Sequence, residues 1–240
     1  MKAKLFLGIL IGLLSFFFVS CASLPGSFDR KSKFKQKYQT ISVEEKLNYL
    51  ESDIKYPQFE DIPELNKRIE NTILSNWKNF KSYSKGEWNE VVALNNRGSS
   101  KLPPFEYVVT YEVSGTKNII SVLLNTYVFN GGAHGNTSLT SINYDSSSKK
   151  YINIITATDM SYNEISSICR NYLYKKLIDD NKAKLPLSEK DSMREMINTG
   201  AFPQAGNFEI FTVDGSKVFV WFEPYSVAPY SYGIQKIQVK

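Results

Sequence analysis

The sequence predicts an α+β fold, two small subdomains of antiparallel sheet packed with a few helices, and three observations predict it. Runs of β-branched and aromatic residues come in pairs around turn-forming residues, which is how hairpins read. Three other stretches carry apolar residues at every third or fourth position, which gives a helix one buried stripe. The two kinds of element do not alternate in the strand–helix–strand rhythm of a parallel sheet.

The first helix is expected over residues 62–80, where Ile62, Leu65, Ile69, Ile73, Trp77 and Phe80 form one stripe. Asp61 and Glu64 have capping-box spacing, and Pro63 falls in the first turn, where a missing N–H costs nothing. Strands 105–113 and 119–129 flank Ser114-Gly115-Thr116-Lys117, and strands 138–144 and 151–155 flank Ser146-Ser147-Ser148. A second helix starts at Ser161, whose hydroxyl can cap the turn that Glu164 closes, with Met160 and Ile165 as a hydrophobic staple. It is expected to run to about Asp180, and a shorter helix covers 188–198, stopping before Gly200. Strands 208–213 and 217–222 flank Asp214-Gly215, one of the strongest short hairpin signals. Residues 234–239 alternate apolar and polar as a half-buried last strand. The subdomains are expected to divide near residue 148, into 46–148 and 149–240.

Before them lies a leader, residues 1–20: Lys2 and Lys4 precede an apolar run of 15 residues from Leu5 to Val19. That is shorter than the ~20 residues a spanning helix needs. The run ends at Phe18-Val19-Ser20-Cys21-Ala22, small residues around a thiol, and resembles a bacterial lipobox. Cys21 is therefore the expected lipidation site, and the lipid the means by which the chain meets a membrane. The expected location is the cell envelope on the extracytoplasmic side, on the outer membrane or on the outer face of the cytoplasmic membrane. An ordinary secretory signal followed by a chance cysteine is the alternative. Residues 21–45 read as a basic linker, with Arg30, Lys31, Lys33, Lys35 and Lys37 and no acid from Arg30 to Thr40. Such a segment serves as a solvated stalk or lies against anionic head groups.

With 42% hydrophobic residues the chain can bury a core, which excludes disorder and a polytopic membrane protein. The formal net charge of +5, two lower without Lys2 and Lys4, and the absence of a basic helical stripe give no case for nucleic acid. Reactive side chains are scarce. Beyond Cys21 the one cysteine is Cys169, spaced with Ile165, Ile168, Tyr172, Leu173 and Leu177 along an apolar helix face. It reads as a small core residue, and no internal disulfide is available to the mature chain. One histidine and one cysteine do not make a zinc set, and neither an Asp-x-Asp-x-Asp-Gly loop nor a Gly-x-Ser-x-Gly elbow occurs. No metal, cofactor or catalytic residue is expected. The enzymatic alternative is a cell-wall hydrolase using an unrecognised pair among the 24 acids.

Two segments stand out. In Asn130-Gly131-Gly132-Ala133-His134-Gly135-Asn136, three glycines surround the single histidine. In Glu223-Pro224-Tyr225-Ser226-Val227-Ala228-Pro229-Tyr230-Ser231-Tyr232-Gly233, prolines restrict a tyrosine-rich connection. Gly131, Gly132 and Gly135 read as a structural loop, and His134, Tyr225, Tyr230 and Tyr232 as candidate partner contacts. The residues leave open whether His134 touches a ligand or bonds a neighbouring carbonyl or the tyrosine segment, and at least one tyrosine should pack inward.

With Lys55-Tyr56-Pro57-Gln58-Phe59 and the Asn66-bearing helix, these segments resemble the extracytoplasmic domain family shared by the RsiV anti-sigma factor ectodomain and the N-terminal region of the PdaC peptidoglycan deacetylase. The resemblance covers about residues 46–240 and implies two small α+β subdomains with an envelope-binding role. One member is known as a lysozyme receptor, so it implies a lysozyme-like protein or peptidoglycan as partner. Only four residues precede the apolar run and Lys240 follows straight after the last strand, so the expectation is the binding half alone, without an anti-sigma segment or a deacetylase domain. Together the readings describe a lipid-anchored, non-catalytic envelope binding protein, a structural lipoprotein without a small ligand being the plainer reading.

Overall fold

Alternation along four strands builds the first lobe. In the computed structural model, which describes residue 34 and residues 36–95, 102–180 and 185–240, six strands form one sheet in chain order. They are β1 (Tyr38–Lys46), β2 (Leu50–Phe59), β3 (Phe105–Gly115), β4 (Ile119–Phe129), β5 (Asn136–Asp145) and β6 (Lys150–Tyr151). Cys21, the leader and most of the basic stretch lie outside the described residues. Leu50, Ile54, Phe105, Val109, Ile120, Val122, Leu124 and Tyr144 alternate onto one face, as strand geometry requires. They meet the stripe Leu65, Ile69, Ile73 and Trp77 of helix α1 (Pro63–Asn95). Trp77 donates its indole N–H to the buried Ser52 hydroxyl at 2.9 Å, so both buried polar groups have a partner. Truncating a side chain as enclosed as Leu65 costs about 2–5 kcal/mol.

Several expectations change here. β1 begins at Tyr38, inside the stretch read as linker, because an edge strand buried on neither face shows no clean alternation. β2 also escapes the sequence pattern. It carries Pro57, tolerated because β3 pairs only with Leu50–Ile54 and leaves that end of β2 with β1 alone. β2 and β3 run parallel, the single exception among the described residues to the antiparallel expectation, because α1 extends to Asn95 and returns the chain across the sheet. The Asp61 capping box does not form: Asp61 sits at φ +59°, and the Glu64 carboxylate instead accepts the Tyr144 hydroxyl. The strand expected at 151–155 shrinks to a two-residue bridge. Asn153 accepts from the Thr156 N–H at 2.9 Å and caps helix α2 (Ile154–Thr158) instead.

The second lobe sets β7 (Phe211–Asp214), β8 (Lys217–Phe222) and β9 (Gln235–Gln238) against helix α3 (Tyr162–Tyr174), its π-helical extension Lys175–Asp179, and helix α4 (Leu187–Gly200). The Ser161–Glu164 capping box is present in full, with Glu164 accepting from the Ser161 N–H at 2.8 Å. Gly215 takes φ +59° in the Asp214-Gly215 hairpin. Phe208 belongs to a 3₁₀ turn rather than a strand and is fully buried beneath Phe222 and Tyr162.

The lobes meet along a polar seam. β7 is an edge strand, and its outward backbone groups bond side chains on the far face of the first sheet. Ser141 Oγ accepts from Phe211 N–H (3.1 Å), and Asn143 Nδ2 donates to Phe211 C=O (2.9 Å). Ser121 Oγ accepts from Val213 N–H (2.9 Å), and Ser114 Oγ donates to Val213 C=O (2.8 Å). Ser121 in turn donates to Asn143 Oδ1 at 2.6 Å, so every member has a partner.

Candidate functional site

The glycine loop and the tyrosine segment, one from each lobe, come together. Gly131 takes φ +87°, a conformation that favours glycine, at the point where the loop leaves β4. Gly135 lies buried under the Tyr127 ring, where a Cβ would stand 2.3 Å from Tyr127 Cζ. Between them the chain lifts His134 to the surface. Its ring stacks on Tyr230 with centroids 4.1 Å apart and planes 23° from parallel. Both side chains converge on one carbonyl: Tyr230 donates its hydroxyl to Gly135 O at 3.1 Å, and His134 Nδ1 lies 2.9 Å from the same oxygen. A carbonyl can only accept, so Nδ1 carries the hydrogen, and the neutral ring has Nε2 left as an acceptor.

Tyr225 extends the surface. Its ring lies 5.6 Å from Tyr230, it is 54% exposed, and its backbone sits at φ +69°. A tyrosine there is strained by roughly 1–2 kcal/mol. The Tyr225 N–H to Ala228 O bond (3.0 Å) and the Ser226 N–H to Glu223 O bond (3.1 Å) hold the turn. Glu223 ties the turn to the first lobe by accepting the Leu139 N–H. Aromatic pairs of this kind contribute about 0.5–1.5 kcal/mol beyond their buried area.

Three of the four candidate contacts, His134, Tyr225 and Tyr230, therefore share one surface. Tyr232 does not; it lines a separate groove with Met193, Met196 and Pro229. Of the loop glycines, Gly132 meets nothing closer than 3.9 Å and has no steric role of its own. Cys169 is fully buried, and burial pushes its thiol up to about 12, far from a nucleophile's range. Among the described residues no group of three His, Cys, Asp or Glu side chains could hold a metal ion, and no helix is long and apolar enough to cross a membrane.

Sequence reasoning missed the supports. Gly200, at the end of α4, lets the Ser226 carbonyl pass where a Cβ would lie 1.9 Å from it, and so fixes how closely the tyrosine turn packs. Tyr127 and Glu223 hold the other side. What the arrangement offers is a rigid aromatic surface with an outward acceptor, suited to stacking on the flat C–H face of a sugar while bonding a hydroxyl.

The comparisons agree with this architecture. Residues 43–137 match the family model described as Deacetylase PdaC, and residues 153–240 match that of a Protein of unknown function (DUF3298). The chain is similar to the peptidoglycan-N-acetylmuramic acid deacetylase PdaC of Bacillus subtilis (strain 168), 28% identical over 126 residues. That stretch covers 52% of this chain and 25% of the enzyme, so the chain spans about a quarter of its curated relative. A DUF3298 family protein from Pseudomonas aeruginosa PAO1 shares the fold at TM-score 0.58, with 15% identity over 86% of this chain and 91% of that one. A DUF3298 family member from Bacteroides fragilis NCTC 9343 does so at 0.59, with 16% identity over 87% and 91%.

Proposed function

From a chain that joins a PdaC domain to a DUF3298 domain, we propose a non-enzymatic binding protein of the cell envelope, tethered through lipid on Cys21 and contacting peptidoglycan glycan through His134, Tyr225 and Tyr230. The observation that carries this reading is the His134–Tyr230 stack, with His134 exposed and both side chains fixed on one carbonyl. A surface already ordered loses little entropy on binding, which favours adhesion to a repetitive polymer. The name of the deacetylase relative, an enzyme of peptidoglycan, supports the choice of polymer.

The test is co-sedimentation of the full-length protein with purified insoluble peptidoglycan. Wild type pellets, and His134→Ala and Tyr230→Ala each pellet at least roughly tenfold less, the loss expected from removing a stacked ring. Chromatography of the supernatant checks for chemistry: released glycan fragments or acetate would overturn the non-enzymatic reading. Equal pelleting by folded variants and wild type would overturn the site, and capture of a purified lysozyme in place of glycan would overturn the ligand.

A further inference from the structure

We propose that the cleft between the two lobes is a second binding site, and that it takes a carboxylate-bearing amino sugar. The cleft encloses about 520 Å³, within the ~300–1,000 Å³ usual for small-ligand sites, and it opens where the lobes meet. Its lining divides into groups already used and groups left over. Ser141 and Asn143 belong to the seam: their side chains bond each other, Ser121, the Phe211 backbone and the Glu209 carbonyl. Arg68, on α1 of the first lobe, and Glu209, just after the 3₁₀ turn of the second, line the same cleft. Among the described residues neither makes an ion pair. Opposite charges that share a cleft without bridging leave room for a ligand to bridge them.

The remaining walls narrow the ligand. Tyr151 is 50% exposed, and its ring is held in place by the hydroxyl, which donates to Glu64 O at 3.3 Å. It presents a flat face for C–H stacking. Asn153 uses its Oδ1 to cap α2, which leaves its amide N–H groups facing ligand or water. The complement therefore needs an anion for Arg68, hydroxyl or amide donors for Glu209, an acceptor for Asn153 and an apolar ring face for Tyr151. A pyranose bearing both a carboxylate and an N-acetyl group supplies all four. A neutral amino sugar leaves the guanidinium unanswered, and a polyphosphate sets a second negative charge against Glu209. The ligand class rests on the envelope-glycan reading above; the site does not, since it shares no residue with the His134 surface.

The test is an NMR titration of the full-length protein with free N-acetylmuramic acid and, separately, with N-acetylglucosamine, which lacks the lactyl carboxylate. Saturable shifts are expected at Tyr151 and Asn153 with the acid, and roughly tenfold weaker binding with the neutral sugar, the effect of one charge-assisted contact. Read at Tyr151 and Asn153, Arg68→Gln brings the acid down to the neutral sugar's affinity, and Arg68→Lys restores part of the difference. Arg68 is exposed, so these variants keep the fold, which circular dichroism checks. No saturation by the acid, equal affinity for both sugars, or an unaltered preference in Arg68→Gln would overturn the proposal. If the sugars fail while insoluble wall still pellets wild type through His134, the cleft is wrong and the envelope reading stands. If the acid binds in the cleft while pelleting is absent, the reverse holds.

Discussion

The seam and the stack both join the two lobes, and they do it with opposite treatment of polar groups. In the seam, Ser121 and Asn143 are buried and their side chains bond each other, Ser141 and the β7 backbone. At the stack, His134 and Tyr230 also lean on a backbone carbonyl, but the His134 ring is exposed and the Tyr230 ring only half-buried. A fold whose lobes are already fixed by four bonds to one edge strand does not need the second contact for cohesion. That frees the loop pair for a partner. The comparison makes one demand on experiment: stability and wall retention should respond to different residues.

The largest stability effect belongs to the seam. Asn143→Ala leaves the Phe211 carbonyl without its side-chain donor and the Ser121 O–H without its acceptor, while Ser121 Oγ still accepts from Val213 N–H. Urea unfolding should show a loss of about 2–4 kcal/mol, while the fraction still folded pellets with wall as wild type does. A loss below about 0.5 kcal/mol would mean that the seam is not what holds the lobes together. Gly200→Ala comes next, at about 1–3 kcal/mol, because the Ser226 carbonyl must move away from the new methyl group. This variant sharpens the comparison, since it shifts the tyrosine turn as well and should weaken pelleting in parallel with stability.

How much of this was legible in the sequence follows from which face each residue meets. The Asp214-Gly215 hairpin, the α1 stripe and the Ser161 box are local: turn chemistry and periodicity specify them within a few residues. Ser121, Ser141 and Asn143 occupy alternate strand positions that read as a solvent face, and the docking of β7 covers them, burying Ser121 and Asn143. The stack was half legible. Glycines around a lone histidine and tyrosines between prolines marked both segments, but nothing in either says that Tyr230 bonds a carbonyl 95 residues away. Arg68 and Glu209 had no signal at all, because their shared cleft exists only after the lobes meet.

A smaller effect is set by pH. Burial raises Cys169 from an ordinary 9.0 to about 12, and raises Tyr107 and Tyr144 from 10.0 to about 12, with the Glu64 hydrogen bond adding to the shift at Tyr144. Above their ordinary values the unfolded chain releases these protons while the folded one keeps them. Their contribution is therefore complete below pH 9 and falls as pH rises toward 12. Unfolding free energy measured between pH 8 and pH 11 should decline, and Cys169→Ala should remove the part of the decline that begins first. In the native state Cys169 should resist iodoacetamide, reacting only on unfolding.

The smallest expected effect on stability falls at the proposed contact surface. His134→Ala removes one exposed ring and one bond to Gly135 O, an oxygen that keeps the Tyr230 hydroxyl as a donor. The carbonyl is not orphaned, so the loss should stay within about 0.5 kcal/mol. Wall retention, by contrast, should fall sharply, because the stack loses half its surface and its outward acceptor. Tyr230→Phe divides the two roles further: it keeps the ring and removes the hydroxyl, so retention should persist while His134 alone holds the carbonyl. Should His134→Ala unfold the protein as readily as Asn143→Ala does, the stack is a second seam, and the division between cohesion and contact collapses.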